Sequence, residues 1–61
     1  MRFVLTIDMD NAAFEEVPSV EVARILRDVA ERIEYHPNFS PGHSQPVHDI
    51  NGNLVGSFSV E

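Results

Sequence analysis

Three groups of residues in this chain have types and spacings that could carry chemistry. The first is the carboxylate pair in Ile7-Asp8-Met9-Asp10-Asn11, which follows an apolar run.

An Asp at a strand end, with a second two residues on, resembles the arrangement in haloacid-dehalogenase-type phosphatases, and the resemblance would imply a nucleophilic Asp8 with Asp10 as acid/base beside Mg²⁺. That reaction also needs a phosphate-binding hydroxyl, a Lys and further carboxylates on a large sheet, and the chain has no Lys and no room for such a sheet. A pair assembled from Asp8, Asp10, Glu15 or Glu16 likewise lacks an evident nucleophile or oxyanion donor. The second group, Asp49-x-Asn51-x-Asn53, fits the opening of a Ca²⁺ loop, but its sixth residue is Leu54 instead of Gly. Started from Asp8, the same loop meets Ala13 at its sixth position and Ser19 at its twelfth. Turn chemistry explains the Asn and Asp better. The third group is His36, His43 and His48, whose gaps match neither a helical His pair nor a standard zinc pattern. No cofactor is expected. A metal-dependent site using Asp8/Asp10 or the His loop stands as the alternative reading.

Asp8, Asp10, Glu15, Glu16 and Glu21 make a run of acids with no base among them. They are the candidate partner-binding residues, because the rest of the chain nearly balances its own charge. With 61 residues, Lys+Arg 4 and Asp+Glu 10, the formal net charge is −6. That sign opposes direct nucleic-acid binding, which rests on Lys/Arg contacts to phosphate, and it opposes anionic membrane. It favours a basic protein partner, including one that itself binds nucleic acid. The absence of Cys excludes disulfides and thiol catalysis. No apolar run approaches the ~20 residues that span a bilayer, so a cytoplasmic protein is expected.

The elements that must position these residues follow from periodicity. Residues 2–8 alternate, with Phe3, Leu5 and Ile7 on one face, and predict a strand. Met9 to Val17 breaks the period and reads as a loop anchored by Phe14. A helix is expected over about 19–34, started by Ser19 as N-cap or by Pro18 at its first position. Its stripe is Val22, Ile25, Leu26, Val29 and Ile33, and its Arg24/Asp28, Arg27/Glu31 and Asp28/Arg32 pairs predict a solvated opposite face. Residues 35–46 hold three of the four Pro and read as an irregular loop. Residues 47–60 predict a hairpin, turning at Asn51-Gly52 as type I′ or over a longer turn from Asp49.

The expected fold class is therefore α+β: a compact single-domain β-α-β-β chain, with a three-stranded sheet and one amphipathic helix packed on one face. Any parallel pairing of the first strand needs a right-handed crossover. The expected core is Phe3, Leu5, Ile7, Phe14, Val22, Ile25, Leu26, Val29, Ile33, Leu54, Phe58 and Val60. The other sheet face would carry Val4, Thr6, Val55, Ser57 and Val47, more apolar than a solvated face needs. A homodimer through that face or through a sheet edge is expected.

The blocks FVLTIDMDNAAFEE, EVARILRDVAERIE and DINGNLVGSFSVE resemble a group of short uncharacterised proteins of bacteria, plasmids and phages. The resemblance covers most of the chain, with the His/Pro loop as its variable part. It implies no activity and no catalytic residues. It does imply a mobile-element setting, in which a small inhibitor or adaptor of a nucleic-acid-handling host system is the sharpest expectation. Sequence thus points to a small acidic non-enzymatic binding module, with a structural subunit of a larger assembly as a further alternative.

Overall fold

The structure, a computed structural model, describes all 61 residues. Strand β1 (Phe3–Ile7) leads through a short 3₁₀ turn (Ala12–Phe14) into helix α1 (Pro18–Glu34). Strands β2 (Ser44–His48) and β3 (Leu54–Val60) complete the chain. The sheet order is β1-β3-β2 and both pairings are antiparallel, with α1 packed on one face. This is the expected α+β, β-α-β-β architecture. Because β3 lies between them, β1 and β2 run in the same direction without touching, and no parallel ladder forms.

Helix α1 begins at Pro18, where a missing N–H costs nothing in the first turn. Ser19 is inside the helix, and Val17 at the cap position makes no side-chain capping bond. The C-terminal end closes with the Tyr35 N–H on the Glu31 carbonyl (3.3 Å) and the His36 N–H on the Ile33 carbonyl (3.1 Å). Pro37 then prevents continuation.

One boundary differs from expectation, and one open alternative is decided. Strand β2 starts at Ser44, so Ser44, Gln45 and Pro46 leave the irregular loop and join the hairpin. Pro46 is tolerated because β2 is an edge strand, and a proline nitrogen turned to the open edge removes no ladder bond. The hairpin turn is the longer one. The Gly52 N–H closes on the Asp49 carbonyl (3.0 Å), and Gly52 takes φ +84°. Asn51 does not adopt positive φ, which a type I′ turn requires.

A bulge re-sorts the sheet faces. Val47 pairs with Gly56 and His48 with Leu54, leaving Val55 as the extra residue on β3. A bulge interrupts strict alternation, so Val55 turns into the core (5% exposed) while Leu54 is pushed out (67% exposed). Val47, at 0% exposed, is also on the helix side. The buried cluster is Phe14, Ile25, Val29, Val47, Val55 and Phe58, flanked by Leu5, Ile7, Ala13, Val22 and Ile33. Val60 is buried as expected, but Phe3, Leu26 and Leu54 keep substantial exposure. The supposed apolar outer face is therefore mostly small and polar: Val4, Thr6, Ser57 and Ser59 with Ser44 and Pro46 of β2. Val55 does not belong to it, and the apolar argument for face-to-face dimerisation goes with it.

Candidate functional site

The acidic segment starts where β1 ends. The Asp8 N–H donates to the Val55 carbonyl (2.7 Å), and the Asp8 Oδ1 accepts the Asp10 N–H (3.1 Å), which turns the chain off the sheet. The hydrogen bond with Asp8, and then the charge of that carboxylate, raise the Asp10 carboxyl above its ordinary value. Phe14 pins the segment to the core through the 3₁₀ turn. Asp8, Asp10, Glu15 and Glu16 are all exposed.

Glu21 is not part of that surface. It is 6% exposed, and its Oε1 accepts from Arg24 Nε (2.7 Å). Its Oε2 accepts from Arg24 Nη2 (3.3 Å) and from the Ile50 N–H (2.8 Å). The hydrogen bond from Arg24 holds this carboxyl below its ordinary range; burial opposes that, and the Ile50 N–H assists it. Arg24 also donates to the His48 carbonyl (3.2 Å), so a helix residue expected in solvent clamps the hairpin instead. Buried and paired, Glu21 has no charge left to offer a partner.

Beside this clamp lies Asp49, the buried acid that sequence spacing assigned to a turn. Its Oδ1 accepts the N–H groups of Asn51 and Asn53 (both 2.9 Å). Its Oδ2 accepts the side-chain amides of Asn53 and Asn11 (both 3.1 Å). Burial pushes this carboxyl up, but the bonds from Asn53, Asn11 and Asn51 outweigh it and hold it low. These donors saturate Asp49, and its chemistry is to tie the acidic segment, through Asn11, to the hairpin turn.

Helix α1 and that turn enclose a shallow groove of about 430 Å³. Its aliphatic lining is Ala13, Val17, Val20 and Ile50, and it is bordered by Glu16, Arg24 and Arg27. Val17, Val20 and Ile50 are 53%, 63% and 66% exposed, so this apolar surface is presented, not packed. Sequence reasoning missed it because Val17 and Val20 fall off the helix stripe and Ile50 sits in a turn. Apolar residues at positions that periodicity does not demand were the available signal. On the sheet, a second hollow of about 540 Å³ is lined by Asp8, Ser44, Pro46, Leu54 and Ser57 among others. It includes two members of the expected outer-face set, Ser57 and Val55, the latter with its side chain turned into the core.

The three histidines do not converge. The rings of His36 and His43 stand 4.0 Å apart, while His48 is on the far end of β2. His43 also lies 6.0 Å from Phe58 and 6.1 Å from Phe39, and Arg32 stacks over Phe58 at 5.2 Å. With Phe3 against both Phe39 and Phe58, these rings cover the open end of the core. No group of three or more His, Asp or Glu side chains is placed to hold a metal ion. No helix is long and apolar enough to cross a membrane.

No protein-family model, no curated protein and no solved structure matches the chain.

Proposed function

We propose that this protein is a non-catalytic binding module that engages a basic protein surface through the acidic segment and the aliphatic groove beside it. One observation carries the reading: Val17, Val20 and Ile50 are exposed in one groove, and Glu16 of the acidic segment borders it. An apolar centre that can be desolvated, rimmed by charge, is the anatomy of a protein interface. Glu15 and Asp10, also exposed, lie on the same connection as Glu16, while Arg24, already paired with Glu21, and Arg27 border the groove on the helix side. Opposite charge speeds encounter and fixes register, while the aliphatic contact supplies residence.

The partner chemistry that fits is a Lys/Arg-rich face with an apolar residue at its centre. Proteins that hold nucleic-acid phosphates carry such faces, and occupying one would block nucleic acid. An inhibitor or adaptor of a nucleic-acid-handling system is the sharpest form of this reading.

The test is affinity capture from the native host by the intact chain, followed by binding measurements on the captured protein. Two variants accompany it, the triple change Asp10→Ala/Glu15→Ala/Glu16→Ala and the single change Val20→Asp. Each should weaken binding at least ~10-fold, the scale of 1.4 kcal/mol, with circular dichroism unchanged. Added nucleic acid should compete. Equal binding by wild type and both variants would rule the surface out.

A further inference from the structure

The sheet has two edges, and the fold treats them differently. On the β2 side, ladder bonds to β3 come from the odd-numbered residues, as the Val60 N–H on the His43 carbonyl (2.9 Å) shows. Ser44, Pro46 and His48 therefore face the open edge. Pro46 has no N–H to offer there. Its carbonyl accepts Arg32 Nη1 (2.9 Å), and the His48 carbonyl accepts Arg24 Nη2 (3.2 Å). Proline and two helix arginines thus close this edge to another strand.

The β1 edge has no such protection. Arg2 and Glu61 exchange both backbone bonds (2.6 and 2.8 Å), so the even-numbered residues of β1 bond to β3. Phe3, Leu5 and Ile7 then point their N–H and C=O groups away from the sheet. None of these groups meets a side chain of the molecule, and no strand lies beyond β1. The segment FVLTI contains no charge, Pro or Gly, and all of it but Leu5 is of the β-branched or aromatic types that favour a strand. An unblocked edge of this composition is a template for strand pairing.

We infer that the β1 edge pairs with β1 of a second copy, antiparallel, about a two-fold axis at Leu5. In that register Phe3, Leu5 and Ile7 face Ile7, Leu5 and Phe3 of the second copy, so every outward backbone group finds a partner. Arg2 falls opposite Asp8 of the second copy, twice, and both side chains stand on the outer face beside Glu61, which already pairs with Arg2. The edge is thus self-complementary in hydrogen bonding and in charge. On the helix face, Phe3, still 42% exposed, meets Ile7 of the second copy. The product is a six-stranded antiparallel sheet with both helices on one face and closed β2 edges at its two ends. Asp8 belongs both to this edge and to the acidic segment, but the test of that surface changes Asp10, Glu15, Glu16 and Val20, so the two readings can fail separately.

The experiment is sedimentation of the full chain over a concentration series, alone and as charge-reversed variants. Wild type should pass from monomer to dimer. Asp8→Arg and Arg2→Asp should each lose the dimer at concentrations where wild type is dimeric, because each places like charges opposite one another. Mixing the two folded variants should restore a dimer, since one chain then supplies Arg and the other Asp at both contacts. Amide exchange in wild type reads the register directly: Phe3, Leu5 and Ile7 should gain protection as dimer forms. A wild type that stays monomeric at millimolar concentration would overturn the inference. So would a dimer whose Phe3, Leu5 and Ile7 amides stay unprotected.

Discussion

Gly56 of β3 sits opposite Ile7 of β1, with the Thr6 carbonyl close to its Cα. A Cβ there would come 1.8 Å from the Thr6 carbonyl oxygen and 2.8 Å from its carbon, and both are backbone. No rotamer change relieves such an overlap, so the strands must separate. Gly56→Ala should therefore exceed the ~1–3 kcal/mol of ordinary overpacking and abolish two-state unfolding in urea. Gly52→Ala is the comparison. It meets open space but sits at φ +84°, so only the backbone penalty of ~1–2 kcal/mol applies. Equal urea midpoints for the two variants would refute this assignment. Alternation alone places Gly56 among apolar neighbours; the Thr6 contact is invisible until β1 and β3 are paired.

Helix α1 presents its charge in two ways that sequence does not separate. Glu21 and Arg24 turn to the hairpin, and Arg32 reaches the Gln45 side chain (3.3 Å) as well as the Pro46 carbonyl. Of the pairs expected four residues apart, Asp28–Arg32 is seen at 3.2 Å, while Arg24 prefers Glu21. Glu21→Ala leaves the Ile50 N–H and part of the Arg24 fork without acceptors, a loss of about 1–3 kcal/mol. Glu31→Ala removes only an exposed charge and should stay within ~0.5 kcal/mol. Thermal melts of the two proteins side by side check this. The helix itself was readable from its stripe and Pro18, because one chain segment suffices to set that period. Which charged residues face the sheet was not, because the edge strand they reach lies elsewhere in the chain.

At the scale of the molecule, 9 of 61 residues are buried, so no core contact is redundant. Two of those nine are the acids Glu21 and Asp49, both held below their ordinary values of 4.5 and 3.8. A carboxyl whose folded value is lowered binds fewer protons folded than unfolded. Its contribution is complete above the ordinary value and is lost as pH falls through the folded one. Stability should thus decline as pH drops below about 4.5, opposed weakly by exposed Asp10, whose value is raised. Asp49→Asn should be less stable than wild type at neutral pH, and the gap should narrow in acid. A gap constant from pH 7 to pH 3 in chemical denaturation would contradict the role given to Asp49.

Taken alone, the sequence determined the element order, the helix stripe apart from Leu26, the Phe14 anchor and a turn in the Asp49–Asn53 stretch whose type it left open. These depend on local period and backbone preference. Tertiary structure alone decided that β1 pairs with β3, that a bulge carries Val55 inward, and that Glu21 leaves the acidic surface. It also decided that Val17, Val20 and Ile50 share a groove and that one sheet edge is closed while the other is bare. Each of those facts joins residues far apart in the chain. Local propensity carries no information about such pairings; the register of β3 and the reach of the helix arginines supply it.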